Sequence, residues 1–229
     1  MSEAVTLGGH RYVQRAPRSL RRYSWTIPFA AAAEVTALFE IEQGVLGGTI
    51  YLYDEWVARW NMLPAGAATP ALGGDTGAWT PDTGGTITYG FSGTIPNIAV
   101  DGTGDALAQP VPVIVGRTYT LAAEASANAR VRMRWLNTAG STISTSDGAT
   151  GTGRRTLTAT APASAASVQC RLDPTTPPVS FSQIQLIEGG AAIGWLPGLG
   201  MPRVALAGIG QAYRAGWVRD ITAELTEVG

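Results

Sequence analysis

The middle of this chain differs in texture from its two ends, and that break constrains the fold more than any single motif. From about Asp75 to Gly190 the sequence is one Thr/Ala/Gly-rich run of short alternating segments, whereas residues 1–63 and 195–229 are richer in Trp, Arg and Glu. Neither flank is long enough to enclose a good core alone, because domains much below ~50 residues rarely stand unaided. A domain split by a self-contained insertion meets this constraint better than three domains in a row. The expected organisation is a split domain of residues 1–74 plus 191–229 carrying an inserted module of residues 75–190.

The 29 glycines, 14 prolines and near-zero mean hydropathy point to short strands joined by tight turns. No apolar run approaches the ~18 residues of a membrane span, so no membrane partner is expected. The start, Met1 to Thr6, lacks a basic stretch followed by an apolar core, so no secretion route is expected either. A net charge of −1 argues against general nucleic-acid binding. The single cysteine, Cys170, excludes an internal disulfide framework, and its alternation with Val168 and Leu172 reads as a small buried hydrophobe. All sixteen basic residues are arginine.

Period-two alternation marks a half-buried strand over residues 20–27, with Arg21, Tyr23, Trp25 and Ile27 on one face. Residues 29–43 switch to helical spacing, with Phe29, Ala33, Leu38 and Ile41 near one face and Gly44 as a stop. A strand at 49–53 and a short helix at 54–62, which would place Trp56 and Trp60 on one side, complete an α+β outline. Pro and Gly at 63–78 read as a linker. Beyond it come strand candidates at 86–91, 117–124, 129–136, 154–160, 167–172 and 181–187, a pattern of a two-sheet jelly-roll sandwich. Trp195-Leu196-Pro197-Gly198 mirrors the first linker, and strands at 203–207 and 217–228 return to the split domain. The fold class is therefore mainly β.

Catalytic chemistry is poorly represented. His10 is the only histidine, so one chain can build neither a paired-histidine metal site nor a triad away from its N-terminal region. Glu34, Glu40, Glu42, Asp54 and Glu55 are the densest carboxylates, and a glycosidase would need two of them facing across a cleft. Glu34 and Glu40 fit the solvated face of a helix better. No Gly-Gly pair has phosphate-loop spacing. The arginine run Arg11, Arg15, Arg18, Arg21 and Arg22 suits a contact with another copy or a solvated face better than nucleic acid. Among the aromatic residues, Tyr119, Trp135, Tyr89 and Phe91 share faces with apolar neighbours and read as core, while Trp79 fits no core pattern. The polar face left over holds Arg132, Arg134, Thr156, Thr158, Gln169 and Arg171, with Gln183 and Gln185. Arg132, Arg134, Gln169 and Arg171 are its candidate glycan-binding residues, and a plain solvated sheet is the competing reading. Arg18, Arg21, Arg22, Trp25, Trp56, Trp60 and Trp217 are candidates for an oligomer interface, since Trp and Arg favour interface centres.

Two resemblances accompany these readings. The stretch from Arg117-Thr118-Tyr119 through Val131–Trp135 to the closing Phe181-Ser182-Gln183-Ile184-Gln185-Leu186-Ile187-Glu188-Gly189 resembles the jelly-roll carbohydrate-binding modules of glycoside hydrolases and phage tail proteins. Ser182 and Gln183 stand where members carry an acidic calcium ligand, so neither metal nor cofactor is expected. The flanks, with Gly48–Asp54, Asn61-Met62-Leu63-Pro64 and Trp195-Leu196-Pro197-Gly198, resemble phage minor tail proteins of the distal tail type. That resemblance implies a non-enzymatic virion protein of the tail tip, assembled in the host cytoplasm. Its partners would be other copies of itself in a ring, a hexamer before a trimer, the tail tube and hub proteins, and host-surface polysaccharide. A stand-alone carbohydrate-binding protein is the alternative.

Overall fold

A computed structural model describes residues 2–5, 11–14, 21–45, 50–71, 77–191, 194–213 and 219–228. His10, Arg15, Arg18 and Trp217 lie outside them. The chain opens with β1 (Ser2–Val5), β2 (Arg11–Gln14), β3 (Arg22–Ile27), α1 (Ala32–Glu42) and β4 (Ile50–Tyr51). Helices α2 (Glu55–Trp60) and α3 (Ala65–Ala68) follow. Then come β5 (Trp79–Pro81), β6 (Gly85–Ser92), β7 (Ile95–Gly102), β8 (Ala106–Ala108), β9 (Val111–Pro112) and the 19-residue β10 (Thr118–Leu136). The chain finishes with β11 (Thr142–Asp147), β12 (Gly151–Thr160), β13 (Ser167–Pro174), β14 (Val179–Glu188), β15 (Arg203–Tyr213) and β16 (Arg219–Glu227).

The chain divides into two compact units, residues 1–52 with 202–229, and residues 53–201. The first is discontinuous. Its four-stranded antiparallel sheet runs β3-β16-β15-β4, so strands from both ends of the chain share one ladder, while β1 and β2 pair with each other. Ile27 faces Ile221 and Trp25 faces Ala223, and α1 covers this side through Val35 and Leu38. Trp25 sits on the apolar face of an edge strand and stays 51% exposed. Phe29, placed on the helix face by its spacing, instead follows Pro28 in a turn with φ 54°, exposed ahead of the helix. Glu34 supplies what the helix start needs by accepting from the Ala31 N–H at 2.8 Å.

The second unit is a jelly-roll sandwich hinged on β10. Residues 118–125 of this strand pair with β12 and β14, giving sheet I in the order β6-β7-β14-β10-β12. Past an irregularity at 126–128, residues 129–136 pair with β11 and β13, giving sheet II in the order β5-β8-β13-β10-β11. The two strands expected at 117–124 and 129–136 are thus one strand serving both sheets. Odd-numbered residues face inward throughout: Tyr119, Leu121 and Ala123, then Val131, Met133 and Trp135, all buried. Tyr119 and Trp135 meet at 6.2 Å between ring centroids, and Cys170 lies opposite Met133 in the same core. Burial pushes the Cys170 thiol up to about 12, so it is inert at neutral pH.

The boundaries of this unit differ from the expected 75 and 190, because both Pro/Gly stretches fold onto the sandwich. Met62, Leu63, Ala67 and Ala68 are buried in its core. Trp79 is 2% exposed, its indole N–H donating to the Ala67 carbonyl at 3.0 Å and its backbone bonded to the Tyr89 hydroxyl. Asn61 is wholly buried and satisfies all four of its hydrogen-bonding positions. Its Nδ2 donates to the carbonyls of Ile184 (3.1 Å) and Leu196 (2.9 Å), and its Oδ1 accepts from the N–H groups of Leu63 (3.2 Å) and Leu186 (3.1 Å). The Met62 N–H also bonds the Leu186 carbonyl at 2.7 Å, so this segment seals the part of the β14 edge that β7 leaves open. The returning segment closes over it through Leu199 N–H to Asn61 O and Gly200 N–H to Leu63 O. A Cβ on Gly198 would lie 2.3 Å from the Leu63 carbonyl oxygen, so only glycine permits this approach. Entry and exit of the sandwich are therefore clasped together. Tyr53 adds a second tie, its hydroxyl donating to Glu188 at 2.5 Å, and Arg117 binds the same carboxylate at 2.9 Å.

Candidate functional site

The structure brings Arg132, Arg134, Gln169 and Arg171 together on the outer face of sheet II. Adjacent positions on β10 and β13 put Arg132 opposite Arg171 and Arg134 opposite Gln169. With Arg130 on the same face, four like charges there would repel, and four aspartates interleave them. Arg130 binds Asp173 at 2.5 Å; Arg132 binds Asp147 at 2.6 Å and lies 3.4 Å from Asp105. Arg171 contacts both Asp105 and Asp82 at 2.7 Å, while Arg134 donates to Gln169 at 3.3 Å. Each of the four residues sought for a glycan is thus already engaged with a neighbour.

Burial raises the Asp105 carboxyl above its ordinary value, and the charges of Arg171 and Arg132 offset only part of that. A carboxyl raised in the folded state binds its proton more tightly there than in the unfolded chain. The stability it contributes is full at low pH and is lost as pH rises through the raised value. Asp105→Asn, which mimics the protonated form, is expected to flatten this step in a plot of urea midpoint against pH. An unchanged step in the variant would assign it to another group.

Sheet I has a different outer surface. Beneath α2, Gln185 is wholly buried rather than on an open polar face, donating to the Trp60 carbonyl at 3.2 Å. Farther along, a groove of ≈ 560 Å³ is lined by Gly90, Phe91, Ser92, Ile95, Asn97, Glu124, Ser180 and Ser182, among others. Phe91, which alternation places in the core, is 54% exposed here because the β6–β7 hairpin runs past the edge of the sandwich. Gly90 pairs with Asn97 and carries no side chain, leaving the Asn97 amide open to the groove. Among the described residues, the side chains of Asn97, Glu124 and Ser182 have no hydrogen-bond partner.

A second hollow of ≈ 270 Å³, lined by Thr94, Ile95, Pro96, Gln183 and Trp195, shares Ile95 with the first. The Trp195 ring is fixed by its N–H bond to the Ile184 carbonyl at 3.3 Å. Gln183 takes φ 49°, the left-handed region that non-glycine residues avoid, at a register shift of β14 against β10. Arg154 holds the distortion by donating to the Gln183 carbonyl at 2.9 Å and to Gln185 at 3.3 Å. Strain of this kind persists where it aims a side chain, here into the hollow. Apolar walls (Phe91, Ile95, Trp195) around unpaired amides and hydroxyls suit a sugar, whose rings offer C–H faces and hydroxyl edges. Among the described residues, Glu124 is the only carboxylate in the lining of either hollow.

Of the interface candidates, Arg21 forms a bidentate pair with Glu227 at 2.9 Å, and Arg22 and Trp25 are exposed on β3. Trp56 is 67% exposed and stacks on Trp60 at 5.7 Å, but both belong to the sandwich unit rather than the split one. Sequence reasoning missed Asn97 and Trp195, and placed Phe91 inside. The available signal was a Phe and an Ile flanking a Gly-Thr turn, with apolar residues continuing past the point where β6 has a partner sheet to cover.

No protein-family model matches the chain, and no curated protein matches it. Similar solved structures include the enzymatically active domain of tailspike protein 4 from bacteriophage CBA120, at 15% identity and a TM-score of 0.40. That match covers 56% of this chain and only 21% of the tailspike chain. A xylan-binding domain from Paenibacillus barcinonensis matches at 12% identity and a TM-score of 0.39, over 51% of this chain and 89% of its own. The N-terminal cellulose-binding domain of a Cellulomonas fimi β-1,4-glucanase matches at 17% identity and 0.35, over 50% and 91%.

Proposed function

We propose that this chain is a non-catalytic structural protein of a phage tail tip whose sandwich holds host-surface polysaccharide in the groove between Phe91 and Trp195. The observation that carries the glycan reading is the combination of exposed apolar walls with an unpaired Asn97 amide and a strained Gln183 in two hollows that share Ile95. The single carboxylate, Glu124, supports binding without cleavage. The discontinuous first unit, with the sandwich carried as an insertion, supports the tail-tip reading. Its exposed edge strand β3, with Arg22 and Trp25, is the surface for ring contacts with other copies, a hexamer before a trimer.

Attachment of the purified protein to host cell walls tests the reading. Phe91→Ala removes a wall, and Gly90→Leu fills the groove at a position where an added Cβ meets nothing closer than 3.5 Å. Each is expected to weaken attachment about fivefold to tenfold, since one ring contact is worth ~1 kcal/mol. Attachment unchanged in both would refute the groove. Electron micrographs of intact particles test the assembly, for which a single copy per tail would count against a ring.

A further inference from the structure

Arg155 is the one arginine among the described residues that is not exposed and has no acceptor for its guanidinium. It sits on β12 opposite Ala123, and so points to the inner side of sheet I, at the open edge of the sandwich. Its Nε is sealed from solvent without a hydrogen bond. Its two terminal nitrogens are neither sealed nor bonded. The nearest acid in the ladder, Glu124, lies opposite Arg154 and therefore on the other face of the same strands. The surroundings fit the guanidinium closely: Ala123, Ala125 and Ala129 line the facing strand, and a Cβ on Gly151 would come within 2.2 Å of Nη1. Glycine at 151, the first residue of β12, leaves the space that the guanidinium occupies.

The sealed Nε carries the cost of an unmet donor, while the two terminal nitrogens at the strand edge have no protein acceptor and are open to one from outside. We infer that Arg155 is an anion-binding site, taking the carboxylate or phosphate of an acidic polymer end-on between its two terminal nitrogens. A planar fork of two parallel donors matches a two-oxygen acceptor, and a lysine does not reproduce it. The site is separate from the groove between Phe91 and Trp195 and does not depend on it.

The test is amide and arginine-side-chain NMR of the full chain titrated with sodium phosphate, and separately with methyl glucuronate, each against sodium chloride at matched ionic strength. Saturable shifts at residues 148–155 and at the Arg155 Nε–H are expected with at least one anion. Phosphate alone points to a phosphodiester polymer, and glucuronate to a uronic-acid one. Arg155→Gln should weaken the response roughly tenfold or more, as loss of charged hydrogen bonds implies. Gly151→Ala keeps the charge but displaces Nη1, and should weaken it as well. Shifts no larger than those in chloride, or an equal response in Arg155→Gln, would overturn the site and leave the residue as an inward charge guarding an open strand edge.

Discussion

Asn61→Ala is expected to destabilise the sandwich unit by roughly 3–5 kcal/mol, measured as a shift in urea midpoint at unchanged slope. The side chain serves four backbone groups lying up to 135 residues away from it in sequence. Its loss leaves the Leu63 and Leu186 N–H groups without acceptors in a site with no access to water. Each orphaned buried group costs ~1–3 kcal/mol, and the small cavity adds to that. The Ile184 carbonyl is partly protected because Trp195 also donates to it. A loss below about 1 kcal/mol would mean that the clasp between entry and exit is not what holds the two segments down.

Trp135→Ala is expected to cost a similar ~3–5 kcal/mol, for a different reason. The indole is 1% exposed, packs against Tyr119, and donates through its N–H to the Ser146 hydroxyl at 3.0 Å. Truncation empties the core beside Tyr119 and removes the partner of the half-buried Ser146 hydroxyl. Trp135→Phe keeps most of the volume and should cost ~1–2 kcal/mol. Equal losses in the two variants would show that the hydrogen bond, rather than the packing, dominates at this position.

The part of the fold written in local periodicity was legible. Alternation along 129–136 and 167–172 put Val131, Met133, Trp135 and Cys170 inside, and the structure agrees because both faces of those strands have fixed neighbours. Helical spacing put Trp56 and Trp60 on one side of α2, where they stack. Composition misled at 63–71, 77–78 and 195–200. Proline and glycine report what the backbone can do locally, and here they let two segments dock rather than swing free. Asn61 and Trp79 owe their burial to partners distant in sequence, which no local window contains. Gln185 follows the alternation correctly onto the outer face of sheet I, but α2 covers that face.

The candidate site divides in the same way. The period of two correctly gathered Arg132, Arg134, Gln169 and Arg171 on one face, yet Asp82 follows β5, Asp105 precedes β8 and Asp147 ends β11, and the pairing of those strands is not readable from local sequence. The groove depends on a bulge at Gln183 and on a hairpin that overruns its sheet. The bulge breaks the alternation, and the hairpin carries it past the end of the core, so a period of two places Phe91 inside and does not single out Asn97.

Chemical-shift mapping of the full chain with an oligosaccharide released from host cell wall addresses the glycan-binding claim most directly. The expected result is a saturable perturbation centred on Gly90, Asn97, Ser182 and Gln183 and on the Trp195 indole N–H, absent in Gly90→Leu. A perturbation confined to Arg132, Arg134, Gln169 and Arg171, or none at all up to ~10 mM sugar, where even a site of ~1 mM affinity would be filled, would contradict it.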